Sequence, residues 1–484
     1  MSFNKRKIKV KKRMLCFVLF SMTIGVTIAQ TTEIKEVEFG QLTPLPRQDT
    51  AMQKWRSNRF GQFIHWGLYS VPGGFWKGKS YKGAAEWLPK WAKISSSEWE
   101  ELKNDFNPTK YNPTEWAKMA KRMGVRYATI TTKHHDGFCL WTSKYTDFDI
   151  EATPYKGDLI GEFINAYNKK GIDVYLYYSV LDWKHPDWRY EIKTAEDKEA
   201  FERFKTFTEN QLVELLTKYP SVKGFWFDGT WDKSWKDNGK FSYELEKRLK
   251  KISPGLIVNS RMRADEYGSR HFDSNGVLMG DYESGYERRL PDPTDVSVTK
   301  NDWESCMTIP ENQWGYHKDW SIGHLKSSYE LIQMLVHATS QNGNFLLNFG
   351  PKSDGTFRKE EIAIMEEIGD WMKINGEAIY SNGYAELKKQ DWGFYTKNKE
   401  TGKTHMIVFN TPFNNKYRVN LNKGSILKRA YFLSTPNKEI EVKEVQKNQY
   451  YVMPSKKNDS NIPLIIVLDI KTAESKKFFQ KAKM

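Results

Sequence analysis

Acidic side chains follow two apolar runs of the chain. Asp228 comes directly after the run GFWF, and Glu283 and Glu287 lie four residues apart at the end of a later run. Enzymes that hydrolyse glycosidic bonds use two carboxyl groups, one ionised and one protonated near neutral pH. A carboxylate at the end of a buried strand needs polar partners, which the histidines and Arg261 would supply. The alternative for Asp228 is a structural role in the Asp-Gly turn that follows the run.

Imidazole groups form a second candidate constellation. His65 ends the first apolar run, and His134 and His135 end the second, directly before Asp136. Because adjacent residues on a strand point to opposite faces, His134 and His135 are poor joint ligands for a metal unless the strand has ended. Imidazole groups also suit the hydroxyls of a sugar, and indole rings suit its C–H faces. We favour sugar binding over a metal site, with a structural role as the other alternative.

Strand and helix patterns alternate between residues 50 and 375 and position these side chains. The strand patterns are residues 60–67, 125–135, 172–180, 222–229, 256–260, 277–283 and 344–350, with a further strand expected within 295–325. The helical patterns are residues 113–123, 158–171, 194–220, 328–343 and 360–376. About eight strand–helix units predict an α/β fold, a (β/α)8-like TIM barrel, whose active groups gather at the carboxyl ends of the strands. A doubly wound sheet is the alternative, but its Gly-rich fingerprint does not follow the first strand.

The two ends of the chain differ from this central region. Basic residues followed by an apolar run predict a signal peptide at residues 1–29, and hence an exported protein, either periplasmic or secreted. An uncleaved N-terminal anchor is the alternative. We expect the catalytic barrel to occupy residues 30–380. Short strand patterns predict a C-terminal antiparallel β-sandwich over residues 381–475, followed by a charged tail at 476–484.

Composition excludes several classes of protein. The 484 residues are 39% hydrophobic and 14% aromatic, which is incompatible with a mainly disordered chain. The first 29 residues carry seven basic and no acidic side chains, so the net charge of +15 falls to +8 without them. This excess forms no basic stripe, and we therefore expect no nucleic-acid partner. We also expect no membrane span after removal of the signal peptide.

Nine segments together resemble the alpha-L-fucosidases of glycoside hydrolase family 29. They are RFGQFIHWGLYSVPGG (59–74), AEWL (85–88), KHHDGFCLWTSKYTDFD (133–149), VYLYYSVLDW (174–183), GFWFDGTW (224–231), IVNSR (257–261), WESC (303–306), WGY (314–316) and GNFLLNFGP (343–351). They occur in the order of the family and cover about residues 40–375. The resemblance implies a barrel followed by a β-sandwich. It also implies a retaining exo-glycosidase that removes terminal alpha-L-fucose from fucosylated glycans.

The resemblance further implies roles for individual residues. Asp228, in the WFDG segment, would be the nucleophile. The residues that would bind the sugar or hold the nucleophile are His65, Glu86, Trp87, His134, His135, Tyr178, Trp231 and Arg261. Neither a metal nor an organic cofactor is implied.

The general acid/base is fixed less strongly, because in this family its position shifts along an irregular loop. We predict Glu287, with Glu283 as the first alternative and Glu304 as the second. This chain also departs from the family after its first strand. It reads Gly-Phe-Trp at residues 74–76, and its Glu-Trp pair comes later, at residues 86–87. The departure concerns the aglycone side of the predicted pocket.

Three other functions are compatible with these patterns. A fucose-binding lectin with an inactive barrel would lack one of the two carboxyl groups, and a metal-dependent hydrolase would lose activity with a chelator. A glycosidase for another sugar, such as alpha-galactose, would be distinguished by a set of aryl glycosides. The sequence specifies neither the fucosyl linkage nor the oligomeric state.

Overall fold

The computed structural model of the protein describes residues 42, 45–264, 271–455 and 462–472. The predicted signal peptide and the predicted charged tail lie outside these residues. Within the described part of the chain, no helix combines the length and the apolar character needed to cross a membrane.

Eight parallel strands form the first sheet and follow one another around it in chain order. They are β1 (Phe60–Ile64), β2 (Tyr127–Lys133), β3 (Asp173–Ser179), β4 (Gly224–Asp228), β5 (Ile257–Val258), β6 (Glu283–Glu287), β7 (Trp303–Thr308) and β8 (Asn344–Phe349). β1 pairs with both β2 and β8, and a parallel bridge between Asn259 and Tyr282 joins β5 to β6. The sheet is therefore closed, which confirms the predicted barrel. The sixth strand begins at the residue where the predicted one ends, and β7 is the strand expected within residues 295–325.

Helices pack around the outside of this sheet. They are α1 (Thr50–Asn58), α2 (Pro113–Met123), α3 (Leu159–Lys169), α4 (Ala195–Lys218), α5 (Gly239–Ile252), α6 (Ser328–Ser340) and α7 (Lys359–Asn375). The connecting loops contain short helices at Leu88–Trp91, Ser96–Glu100 and Lys233–Lys236. α2 begins where the Asn112 side chain accepts a hydrogen bond from the Glu115 amide, and it ends at Gly124, which has a left-handed φ of 93°.

The helical ring differs from the prediction at two points. α1 and α5 were not among the predicted helices. In the described residues, no α-helix lies between β5 and β6 or between β6 and β7, where the regular element is a 3-10 turn at Val296–Lys300. The predicted strand–helix alternation is therefore incomplete in this half of the barrel.

Aromatic side chains fill the interior of the barrel. Phe63, Tyr127, Tyr175, Tyr177, Trp226 and Tyr282 belong to one buried cluster. The Tyr127 ring fits because β1 carries glycine at position 61, where an added Cβ would lie 2.4 Å from the ring. Residues of alternate parity on the same strands, such as Tyr178 and Phe227, belong to the cluster that the helices cover.

The second sheet is antiparallel and forms the C-terminal region. Its strands are β9 (Asn382–Gly383), β10 (Gly393–Asn398), β11 (Thr404–Val408), β12 (Tyr417–Asn420), β13 (Ser425–Phe432), β14 (Glu439–Gln446), β15 (Gln449–Met453) and β16 (Leu464–Thr472), in the order β9-β10-β11-β16-β13-β14-β15-β12. β14 pairs with β13 only at Glu439 and Ile440 and then with β15, so the sheet folds over its own core. This arrangement confirms the predicted β-sandwich, whereas the division at residue 380 stays a prediction.

The sandwich packs against the barrel through α6. The His337 ring stacks on Phe394 with their centroids 5.2 Å apart, and the Tyr329 hydroxyl donates to the Phe409 carbonyl at 2.9 Å. These contacts lie on the outside of the barrel, away from the carboxyl ends of its strands.

Candidate active site

The carboxyl ends of the barrel strands surround a cavity of about 300 Å³. His65 follows β1, His134 and His135 follow β2, Asp228 ends β4 and Glu287 ends β6. The lining residues are Phe63, His65, Ala84, Glu86, Trp87, Trp91, His134, His135, Tyr177, Trp226, Asp228, Trp231, Arg261, Glu287, Arg288, Asn312 and Trp314. The fold therefore brings together all of the predicted site residues except Tyr178.

One arginine joins the two predicted catalytic carboxylates. Arg261 Nη1 lies 3.0 Å from Asp228 Oδ1, and Nη2 lies 2.8 Å from Glu287 Oε2. The arginine is fully buried, whereas the side chains of Asp228 and Glu287 are 14% and 31% exposed. The two carboxylates thus share one buried cation, and Glu287 lies on the more open side.

The Arg261 guanidinium is held by a backbone carbonyl and by an aromatic ring. Its Nη2 also donates to the Ser284 carbonyl at 2.9 Å, and its carbon lies 4.5 Å from the centroid of the Trp226 ring. Burial opposes the charge of Arg261, but the Glu287 and Asp228 carboxylates outweigh it and raise the pKa of the guanidinium. The arginine is therefore a permanent positive charge at a fixed place between the acids.

Asp228 has further partners on the side away from Arg261. The Tyr177 hydroxyl donates to Asp228 Oδ2 at 3.2 Å, and His135 Nε2 lies 3.8 Å from the same oxygen. His135 is oriented by Ser179, whose Oγ lies 2.7 Å from Nδ1. These contacts favour the ionised form of Asp228 and fix the position of its carboxylate.

The structure corrects the prediction for Tyr178. Its hydroxyl donates to Gln211 of α4 at 2.8 Å, and its ring lies under the Lys133 ammonium, on the helix-facing side of β3. The neighbouring Tyr177 lines the cavity instead, because successive residues of a strand point to opposite faces. Since residues 174–178 are all apolar or aromatic, their pattern did not show which tyrosine faces inward.

The histidines that follow β1 and β2 lie side by side in the cavity wall. β2 ends at Lys133, so His134 and His135 no longer alternate and both line the cavity. His65 Nδ1 lies 2.6 Å from Asn348 Oδ1, and burial lowers the pKa of His65 to about 4. Burial also lowers the pKa of His134, whose ring stacks on Tyr177 with centroids 5.4 Å apart. Both imidazoles are therefore neutral near pH 7 and able to donate and accept hydrogen bonds.

The histidines of the cavity wall are also potential metal ligands. Across the described residues, no three His, Cys, Asp or Glu side chains are placed to hold one metal ion. The histidine rings instead contact Asn348, Ser179 and aromatic neighbours. This donor set matches hydroxyl binding better than cation coordination.

Glu86 and Trp87 lie on a 3-10 turn that reaches over the cavity. Glu86 Oε2 accepts a hydrogen bond from the Gly315 amide at 3.0 Å, and burial raises the pKa of Glu86 to about 7. Among the described residues, Oε1 of Glu86 has no hydrogen-bond partner. The Trp87 ring stacks on Trp231 with centroids 6.3 Å apart, so two indoles form one wall. The earlier Phe75–Trp76 segment forms a hairpin with Lys79–Ser80 instead.

The two alternative acids lie away from the cavity. Glu283 begins β6 and pairs in register with Trp303, and it does not line the cavity. Glu304 lies inside the barrel and accepts hydrogen bonds from Tyr127 at 2.7 Å and from Trp226 at 2.9 Å. Burial raises the pKa of Glu304 to about 7. Of the three glutamates, Glu287 alone shares the cavity with Asp228.

The remaining lining residues were not identified from the sequence. Phe63 and Trp226 precede His65 and Asp228 by two positions, so strand alternation would have placed them on the inner face. Trp314 lies in the WGY segment. Trp91 and Asn312 lie outside the barrel strands, where no sequence pattern indicates which way a side chain points.

The chain is similar to known alpha-L-fucosidases. The sequence model of the alpha-L-fucosidase family matches residues 27–377. Human tissue alpha-L-fucosidase is 30% identical over 341 residues, covering 67% of this chain and 68% of the human protein. Human plasma alpha-L-fucosidase is 31% identical over 343 residues, covering 66% of this chain and 68% of that protein.

Solved structures of alpha-L-fucosidases are also similar to this chain. The family 29 alpha-L-fucosidase of Bacteroides thetaiotaomicron is 54% identical and superposes with a TM-score of 0.88, covering 90% of this chain and 98% of that one. The Bacteroides enzyme has also been trapped as a covalent intermediate with 2-fluoro-fucosyl fluoride in a glutamate-to-glutamine mutant. The alpha-fucosidase of Thermotoga maritima is 27% identical and has a TM-score of 0.65. The match covers 86% of this chain and 96% of the Thermotoga chain. The chain belongs to the alpha-L-fucosidases of glycoside hydrolase family 29.

Proposed function

We propose that this protein removes terminal alpha-L-fucose from fucosylated glycans with retention of configuration, using Asp228 as the nucleophile and Glu287 as the general acid/base. The observation that carries the proposal is the shared contact of Arg261 with both carboxylates inside one small cavity. Retaining glycosidases require two carboxyl groups about 5–5.5 Å apart. A single guanidinium that bonds to both supports such a short separation.

In the first step, Asp228 attacks the anomeric carbon of fucose while Glu287 gives its proton to the leaving oxygen. The bond between C1 and that oxygen breaks, and a fucosyl ester forms on Asp228. Arg261 and Tyr177 support this role, because they hold the carboxylate ionised and in place before attack.

In the second step, Glu287 is a carboxylate and removes a proton from water. The water oxygen attacks C1 from the side that the leaving group vacated, and the bond to Asp228 breaks. Fucose leaves with its original configuration, and both carboxyl groups return to their starting states. The greater exposure of Glu287 supports this role, since its partner is first the glycan oxygen and then water.

The cavity suits one terminal sugar. Its volume of about 300 Å³ lies at the small end of ligand pockets, which range over about 300–1,000 Å³. We assign the fucose hydroxyls to His65, His134, His135, Arg261 and Glu86, and its C–H faces to the rings of Trp87 and Trp231. The double displacement is complete with side chains and water, so the proposal includes no metal or organic cofactor.

The test is hydrolysis of aryl glycosides of several sugars, followed by NMR of the first-formed anomer. We expect activity on the alpha-L-fucoside and initial release of alpha-L-fucose. Initial release of the beta anomer would contradict the double displacement. Preference for alpha-galactoside would contradict the substrate, and binding of fucose without turnover would favour the lectin alternative.

We also propose that the protein is exported. The basic and apolar segments within residues 1–29 support this assignment. Expression in its natural host, with fractionation and N-terminal sequencing, should give a mature chain outside the cytoplasm that begins near residue 30. An intact N-terminus in the cytoplasmic fraction would contradict it.

A further inference from the structure

An exposed indole ring stands at the edge of the cavity beyond the two that face fucose. Trp91 ends the short helix Leu88–Trp91, lines the cavity and is 50% exposed. We propose that Trp91, together with Arg288 and Asn312, forms a binding site for the pyranose ring of the leaving group, the sugar to which fucose is attached. This inference rests on the proposed function and names the class of substrate that the same site prefers.

The Trp91 ring is fixed in place although one half of it is open to solvent. Its Nε1 donates to the Ala84 carbonyl at 3.3 Å. Residue 83 is glycine, and an added Cβ there would lie 2.4 Å from Nε1, so the ring packs directly on the loop backbone. A ring that is held this way binds a sugar without a further loss of side-chain freedom.

Trp91 continues the indole wall outward from the fucose position. Its ring stacks on Trp87 with centroids 5.9 Å apart and planes 29° apart, and Trp87 stacks on Trp231 at 6.3 Å and 25°. Trp231 in turn contacts His135, which lies next to Asp228. A glycan that enters fucose first would therefore place its next sugar beside Trp91.

A polar pair belongs to the same cavity and provides the second kind of contact. Arg288 donates a hydrogen bond to Asn312 Oδ1, and both side chains are exposed. Arg288 directly follows Glu287, and its amide donates to the Cys306 carbonyl at 2.8 Å, which fixes the backbone next to the acid/base. Since Glu287 protonates the leaving oxygen, a side chain adjacent to it lies on the leaving-group side.

An aromatic face and a polar pair in one site match the two kinds of surface on a pyranose. The C–H face of the ring packs on an indole, and its equatorial hydroxyls bind amide and guanidinium groups. Phenol or fluoride as leaving group offers only part of these contacts or none. The site therefore favours fucosyl oligosaccharides over activated fucosides with small leaving groups.

The experiment compares kcat/KM of Trp91→Ala on two substrates. One is alpha-L-fucosyl fluoride, which has no leaving-group ring. The other is whichever of 2′-fucosyllactose and the alpha-1,3-, alpha-1,4- and alpha-1,6-linked fucosyl-N-acetylglucosamines the wild type cleaves fastest. We expect Trp91→Ala to lower kcat/KM on the oligosaccharide about 3- to 10-fold, the range of an aromatic contact, and to change the rate on the fluoride less than about twofold.

Trp91→Phe and Phe413→Ala serve as controls, and Asn312→Ala tests the polar pair. Trp91→Phe should retain most of the oligosaccharide activity, because a ring remains. Asn312→Ala should raise KM for the oligosaccharide alone. Phe413→Ala removes a 98% exposed ring from the C-terminal sandwich and should change neither rate.

The outcomes separate this inference from the proposed function. Equal losses on both substrates in Trp91→Ala, or no loss on either, would overturn the leaving-group site while leaving the fucosidase assignment intact. Failure of the wild type to hydrolyse alpha-L-fucosyl fluoride would overturn the proposed function, and this inference with it.

Discussion

Two regions of the same barrel hold acidic side chains in contrasting surroundings. At the mouth of the barrel, where the carboxyl ends of its strands meet, Asp228 and Glu287 share the Arg261 guanidinium and line an open cavity. In the interior, Glu304 is surrounded by neutral donors, the Tyr127 and Tyr282 hydroxyls and the Trp226 indole. At the mouth, Arg261, Tyr177 and His135 favour the ionised form of Asp228. In the interior, burial favours a neutral carboxyl on Glu304, with a pKa of about 7.

This difference shows that a raised pKa does not by itself identify a catalytic acid. Glu304 lacks access to a substrate, while Glu287 is 31% exposed and shares Arg261 with Asp228, the proposed nucleophile. The two regions are connected, because Glu304 bonds to Trp226 and the Trp226 ring lies under Arg261. We interpret Glu304 as a structural group that holds the base of the site.

The largest expected effect comes from Asp228→Asn. The amide keeps the shape of the side chain but cannot act as a nucleophile, so kcat should fall by at least about 10³-fold. Glu304→Gln is the matched control, since it makes the same change in the interior. Steady-state rates on an aryl fucoside measure both. Comparable losses in the two variants would abolish the distinction between mouth and interior.

Glu287→Ala should show an effect that depends on the leaving group. Substrates with poor leaving groups need the proton, so they should lose about 10²- to 10⁴-fold in kcat/KM, the range for a general acid. Aryl fucosides with acidic phenols should lose far less. Azide should restore turnover, because it attacks the fucosyl-enzyme without a general base. A uniform loss without azide rescue would exclude the acid/base role.

Tyr177→Phe and Tyr178→Phe form a matched pair on one strand. Tyr177→Phe removes the hydrogen bond to Asp228, and a bond to a charged group of about 1.5–3 kcal/mol predicts a fall in kcat of about 10- to 100-fold. Tyr178→Phe removes the bond to Gln211 and should reduce the free energy of unfolding by about 1 kcal/mol with little change in kcat. A large fall in kcat for Tyr178→Phe, with little change for Tyr177→Phe, would instead support the sequence-based prediction that Tyr178 acts in the site.

The smallest effect on turnover is expected for Glu304→Gln. This substitution should instead change how the free energy of unfolding depends on pH. The pKa of Glu304 in the folded protein, about 7, lies above the ordinary glutamate value of 4.5, so folding stabilises the protonated form. The contribution of Glu304 to the free energy of unfolding of the wild type is therefore fully present below pH 4.5. It is lost as the pH rises to 7.

Glu304→Gln does not ionise and lacks this loss. Its stability relative to wild type should rise between pH 5 and pH 8, by up to about 3 kcal/mol. Thermal melts of both proteins at the two pH values provide the measurement. A constant difference in Tm would show that Glu304 is ionised in the folded protein.

The sequence was sufficient for the barrel and for most of the cavity because both follow from strand ends. Apolar runs that end in His65, Asp228 and Arg261 indicate parallel strands whose carboxyl ends meet. It was insufficient where polar and apolar residues do not alternate along a strand, as for Tyr177 and Tyr178. It was also insufficient where tertiary contacts decide position, as for Trp91 and Asn312, which reach the cavity from outside the strands.

The central claim is that Asp228 forms a covalent bond to fucose. Incubation with 2-fluoro-fucosyl fluoride, proteolysis and mass spectrometry of the labelled peptide test it directly. The account predicts one added 2-fluoro-fucosyl group on Asp228 and no label in Asp228→Asn. A label on Glu287, on Glu304 or on any other residue would contradict it.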